Sequence, residues 1–396
     1  MRSISLFTPE SDILEDGMSE LKEQMKGFSF LKNTIGLLFV SPDCEQEELM
    51  PLLKENFDFP ILGATSMAML AKDGKCHNSG LNMLVMTADD CQFHLMEIED
   101  VLQKGAEEEI SEKYHTLCAS LSPGEEPGLL LCYCALGTKG NGDEIIKTLD
   151  RLSGGVPVYG GSASDSFTFK EYGVFTKENF YKNGFVLMMI TGNIRPVFSR
   201  EYEISKEGSF SKTVTRSCQN IVYELEHKNF MDVLKENGLC SENEEVGLEY
   251  VGMPFLSTAE QEDGTKIRVT RMLTRLHHED RTGYFLGAIP EGAVLGSAIV
   301  NKEDLTMSVE KCFRGILERI QKETDYEYTT FLVTSCGGRY LWLATNQDAE
   351  AAAYAGKLPE ESSVCGMYSF GEFAPVEKNG KRYNMFHNGT LTVLAI

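Results

Sequence analysis

Along this chain the apolar positions switch between helical and strand spacing, and the switches mark its elements. Ile13, Leu14, Met18, Leu21 and Met25 recur at helical spacing after Ser11, and Gly27 is a natural stop. Residues 35–40 form an unbroken apolar run of strand length, as a strand buried on both faces requires. Asp43 is a candidate cap for a second helix through Leu49, Leu52 and Leu53. A short strand over residues 59–64 then ends in Thr65 and Ser66. Residues 81–87 and 91–98 predict further strands. Residues 101–121 predict a long helix with Ile110, Tyr114, Leu117 and Leu121 on one stripe.

The same order returns twice. Residues 129–136 predict a strand, Ile145, Ile146, Leu149 and Leu152 a helix, and residues 156–163 a strand that ends in small polar residues. Near the C-terminus, residues 331–335 predict a strand, 347–355 a helix and 364–369 a strand. Each of the three segments reads as a βαβ unit with parallel strands. The repetition is weak and has no fixed period, which excludes a solenoid. A β-rich middle separates the second and third units, and residues 303–324 predict a helix with Val309, Cys312, Phe313, Ile316 and Ile320 on one face. The expected fold class is α/β with mixed α+β character: repeated βαβ units in mixed sheets. Two domains are expected, 1–225 and 226–396, divided near the helical residues 230–236 and a charged loop at 241–245.

Composition narrows the function. In 396 residues, 37 Lys+Arg face 60 Asp+Glu, a formal charge of −23. Phosphate backbones and anionic membrane surfaces demand clustered cations, so neither nucleic acid nor membrane is an expected partner. The longest apolar runs fall far short of a membrane span. Met1–Phe7 is followed at once by Thr8-Pro9-Glu10, without the longer apolar region of a signal peptide, so the cytoplasm is the expected compartment. Eleven cysteines, an odd number at irregular spacing with Cys132, Cys134 and Cys365 inside apolar runs, fit buried reduced thiols. No Cys-x-x-Cys occurs, and no metal site is expected.

Familiar motifs fail. There is no Gly-Lys-Ser/Thr phosphate loop, Gly137, Gly140 and Gly142 have the wrong spacing for a dinucleotide fingerprint, and no Gly-x-Ser-x-Gly elbow exists. His277-His278 reads as an exposed turn after a strand. What remains clusters at strand ends: Thr65 and Ser66; Ser162, Ser164 and Asp165; Cys336, Gly337, Gly338 and Arg339; Tyr368, Ser369 and Glu372. Ligands of open α/β sheets bind beyond the carboxyl ends of parallel strands, where small residues admit them and polar groups orient them.

The last segment carries a resemblance. Gly366-x-Tyr368-Ser369-Phe370-Gly371-Glu372-Phe373-Ala374-Pro375, followed by His387-Asn388-x-Thr390-Leu391-Thr392-Val393-Leu394, resembles the C-terminal signature of FIST proteins. Cys336-x-x-Arg339 after a strand is similar to the family's pattern, as is Gly160-Gly161 with Asp165. After the first strand-end glycine the family continues into Ser-Thr-x-Gly-Glu, whereas this chain has Ala64-Thr65-Ser66-Met67-Ala68-Met69. The resemblance implies an intracellular sensory module that binds small ligands, amino acids among them, with haem linked to some members. It implies action through a separate signalling partner.

On the leading reading the protein is a non-catalytic sensor of small zwitterions. Arg339 would clamp a carboxylate, Glu372 would receive an ammonium or hydroxyl donor, and Tyr368, His387 and Asn388 would line the pocket. If Arg339 and Glu372 merely pair, the site moves to Ser162–Asp165. A second reading is an enzyme with Cys336 as nucleophile and His387 as base. A third is a haem-linked sensor, although none of the 7 histidines lies in a Cys-x-x-Cys-His context.

Overall fold

The computed structural model describes residues 1–137, 140–201, 206–241, 254–323 and 325–396. Its helices and strands form three copies of one unit: strand, helix, strand, helix, strand, hairpin, strand. The first copy runs Arg2–Thr8, Leu14–Gln24, Asn33–Val40, Gln46–Asn56, Ile61–Thr65, the hairpin Met69–Leu70/Cys76–His77, and Leu81–Ala88. The second runs Cys91–Ile98, Ala106–Ala119, Pro127–Cys134, Gly142–Ser153, Val158–Ser162, the hairpin Val174–Thr176/Phe180–Tyr181, and Phe185–Gly192. The third begins with Val197–Glu201 and resumes after an inserted β-rich segment. It continues with Lys302–Ile320, Thr330–Cys336, two short helices Gly337–Leu343 and Ala349–Tyr354, Ser363–Ser369, the hairpin Glu372–Lys378/Lys381–His387, and Leu391–Ala395.

Each copy builds a six-stranded mixed sheet around one parallel pair. Four strands come from the copy itself and the hairpin comes from another copy. The first sheet takes the second copy's hairpin, the second takes the third copy's, and the third takes the first copy's. The exchange closes a ring. All three inner faces meet in one core, with Leu37 and Phe39, Leu131 and Tyr133, and Leu332 and Met367 in contact through it. Each outer face lies under helices: Met18 and Leu53 on the first sheet, Ile110 and Leu149 on the second, Phe313 and Tyr354 on the third.

Sequence and structure differ in instructive places. The long helix expected at 101–121 is Ala106–Ala119, because Gly105 takes a left-handed φ of 91° and starts it late. Asp43 does not cap the second helix; Glu45 holds the N-cap position. The helix Gly337–Leu343 escaped the periodicity because it is one short turn pair that opens on two glycines. The charged loop at 241–245 lies outside the described residues except for Ser241. His277 ends a strand and is followed by a turn, as the sequence indicated.

The insertion carries its own core around Phe210, Phe230, Phe255 and Phe285. Arg271 fastens it to the second copy. Its guanidinium, 2 % exposed, donates to both oxygens of Asp143 at 2.9 and 3.1 Å and to the carbonyls of Ala288, Thr270 and Phe386. No described helix is long and apolar enough to cross a membrane.

Candidate functional site

The residues singled out at the strand ends do converge, but on opposite sides of the third sheet, with Glu372 and His387 contributed by the hairpin that joins the second sheet. In Thr330–Cys336, Phe331 and Val333 face outward toward the helices while Leu332 faces the central core. Side chains alternate along a strand, so Ser335 faces out and Cys336 in. The neighbouring parallel strand keeps this register: Ser335 stands opposite Tyr368, and Cys336 opposite Ser369. Tyr368 lies in the outer cluster.

The outer face holds Arg339. It sits on the short helix Gly337–Leu343, fully buried, and donates from Nε to Glu350 Oε1 at 2.7 Å. Its Nη2 donates to Ser308 Oγ at 3.0 Å and to the Leu305 carbonyl at 3.4 Å. The carboxylate partner is therefore Glu350, from Ala349–Tyr354, and not Glu372. Tyr368 completes the group; burial and the neighbouring Glu350 push its phenol well above the ordinary range, so it keeps its proton. Two buried polar atoms here, Arg339 Nη1 and Ser335 Oγ, have no hydrogen-bond partner among the described residues, while the Tyr368 hydroxyl and the Glu350 carboxylate face each other. Leaving such groups dry costs about 1–3 kcal/mol each, and more when they are charged.

The inner face holds Cys336 and Glu372. Glu372 accepts from Ser369 Oγ at 2.9 Å and from the Thr390 N–H at 3.2 Å. Burial pushes its carboxyl well up despite those bonds. Burial and the adjacent Glu372 likewise push the Cys336 thiol well up, opposite to what a nucleophile needs. His387 donates from Nε2 to the Ala374 carbonyl at 3.0 Å, and burial together with Arg200 drives its pKa well down, so the ring is neutral. Asn388 is fully buried, with both side-chain atoms unpartnered among the described residues.

The Ser162–Asp165 segment knits copies together. Ser162 donates its N–H to the Gly371 carbonyl and accepts from the Phe370 N–H. Ser164 Oγ donates to the Tyr368 carbonyl, and Thr65 Oγ1 to the Ser164 carbonyl. Asp165 is buried, which opposes its charge, but Thr168 and the N–H groups of Glu171, Lys170 and Phe169 hold its carboxyl below the ordinary range. Sequence reasoning missed Glu350, Ser308 and Ser335. The only signal available was an acidic residue inside an alanine-rich helical segment.

The comparisons agree with the architecture. The FIST N domain model matches residues 34–228 and the FIST C domain model residues 232–375. The chain belongs to the FIST family. FIST domains have a sensory role in signal transduction. No curated protein matches this FIST chain. The C-terminal match spans Cys336, Arg339, Glu350, Tyr368 and Glu372 and ends before His387 and Asn388.

Proposed function

We propose that this FIST protein is a non-catalytic sensor of a small zwitterion, an amino acid or close analogue, held on the outer face of the third sheet and reported to a separate signalling partner. One observation carries the reading: Arg339, Glu350, Tyr368 and Ser335 are buried together, and Arg339 Nη1 and Ser335 Oγ keep no partner among the described residues. A carboxylate would satisfy Arg339 Nη1 and an ammonium the Glu350 carboxylate, with the Ser335 hydroxyl free to donate or accept and the Tyr368 hydroxyl beside Glu350. A buried ion pair left half-satisfied is a poor stabiliser, so a ligand that completes it gains more than it would at the surface.

The raised thiol of Cys336 argues against the nucleophilic reading. Calorimetric titration with the common amino acids tests the proposal. Tyr368→Phe removes only the hydroxyl and should weaken binding about three- to tenfold, the worth of one buried hydrogen bond. Arg339→Ala should abolish measurable binding, and Cys336→Ala should leave it intact. Binding unchanged in Tyr368→Phe, no binding by any amino acid, or a Soret band after reconstitution with haem would each overturn the reading.

A further inference from the structure

The Arg339 cluster is closed on every side: Arg339 and Tyr368 are 0 % exposed and Glu350 1 %. A ligand reaches it only when a covering element moves. One segment stands out as that cover. Residues 166–171 leave the second copy and lie over the carboxyl end of the third copy's sheet. The Phe169 ring stacks on Phe370 at 4.5 Å and the Phe167 ring lies 5.6 Å from it. Phe370 follows Tyr368 by two residues, and Phe167 Cζ comes within 3.4 Å of where a Cβ on Gly337 would stand. Both rings pack on the apolar cluster that contains Tyr368.

The segment is held in an unusual way. Phe167 has φ 62° and Phe169 φ 54°, both in the left-handed region that bulky side chains rarely adopt. One residue restrains them: the Asp165 carbonyl accepts from the Phe167 N–H at 2.7 Å, and its carboxylate holds the rest. Asp165 accepts from Thr168 Oγ1 at 2.5 Å and from the N–H groups of Phe169, Lys170 and Glu171 at 3.0, 2.8 and 3.0 Å. Ser166, Thr168, Lys170 and Glu171 are exposed. Backbone strain, a latch on one side chain and a solvent-facing outer surface belong together in an element built to open.

We infer that residues 166–171 are a flap over the Arg339 cluster, latched by Asp165 and seated through Phe167 and Phe169 on Phe370 and Gly337. What the flap admits rests on the proposed function; whether it opens does not. Hydrogen exchange on the ligand-free protein reads the opening directly. The N–H group of Arg339 lies in the first turn of its helix and has no acceptor four residues back within it, so cover is what protects it. In the wild type, the amides of Phe169, Lys170 and Glu171 should exchange at least about tenfold faster than those of Thr330–Cys336. Asp165→Ala should accelerate those three by about tenfold or more, and Arg339 with them. Phe169→Gly leaves the latch, suits the positive φ and removes the ring; it should accelerate Arg339 while the Asp165-bound amides stay protected. Unchanged exchange at Arg339 in both variants overturns the flap. So does acceleration that is equal throughout the Thr330–Cys336 strand, which would make the segment an inseparable part of the global fold. Because no ligand is present, a flap that opens in a protein that binds no amino acid would overturn the proposed function alone.

Discussion

At the scale of single residues, Glu372 and His387 are both neutral when buried, and their effects on stability run in opposite directions with pH. They stand opposite each other in adjacent strands. Burial raises Glu372 well above its ordinary 4.5, so above that pH the unfolded chain releases a proton that the folded chain keeps. Stability from Glu372 is therefore complete below about pH 4.5 and falls as pH rises, by about 1.4 kcal/mol per unit. Burial and Arg200 depress His387 below its ordinary 6.5, so below that pH the unfolded chain takes up a proton that the folded chain refuses. Stability from His387 is therefore present above about pH 6.5 and is lost as pH falls. The two slopes cancel between these values, and only that of Glu372 remains above pH 6.5. Glu372→Gln should gain on the wild type by about 1.4 kcal/mol per pH unit above pH ~5 in urea unfolding, and curves that stay parallel from pH 5 to 9 would show that Glu372 ionises freely in the fold. That Arg339 and Tyr368 lie close together was legible from their place at parallel strand ends. The choice of Glu350 over Glu372 was not, because it turns on which face of the sheet each side chain takes, and that follows from a one-residue register.

At the scale of elements, the parallel pairs were legible and the hairpin exchange was not. Continuous apolar runs such as residues 35–40 and 129–134 announce buried strands. A hairpin such as Val174–Thr176/Phe180–Tyr181 carries no local sign that it will pair with Ile61–Thr65, more than a hundred positions away. Glycines mark the crossing points. Gly160 has φ 141° and Gly371 φ 143°, and a Cβ on Gly160 would stand 1.9 Å from the Cys132 carbonyl oxygen. That carbonyl belongs to the neighbouring parallel strand, and neither backbone can retreat without breaking the ladder. Gly160→Ala should accordingly cost about 3 kcal/mol or more, combining strained φ with a backbone clash. Gly154→Ala, at φ 66° with open space around its Cβ, should cost about 1 kcal/mol. Equal urea midpoints for the two variants would place the strain elsewhere.

At the scale of the molecule, the exchange binds the two family domains into one folding unit. The N-terminal part lends the hairpin Met69–Leu70/Cys76–His77 and the strand Val197–Glu201 to the third sheet, and borrows Glu372–Lys378/Lys381–His387 for the second. Asn82 reaches across the same boundary to the Gly366 carbonyl at 3.1 Å, and Tyr159 to the Leu332 carbonyl at 2.8 Å. Separated, residues 1–225 would expose the edge of Val158–Ser162. Residues 226–396 would expose both edges of the third sheet's central strands, and unpaired edges of this kind invite aggregation. The chain should therefore unfold in a single cooperative step despite its length. Trp342, the one tryptophan, lies in the third copy beside Met272 of the insertion and reports on that end of the molecule. Far-ultraviolet circular dichroism reports on the whole. The two signals should trace coincident urea transitions. Fragments 1–225 and 226–396, expressed apart, should be insoluble or unfolded, and should recover native dichroism when refolded together. A soluble, cooperatively melting fragment 1–225 would mean that the borrowed hairpin adds little, and that each domain carries enough core to stand alone.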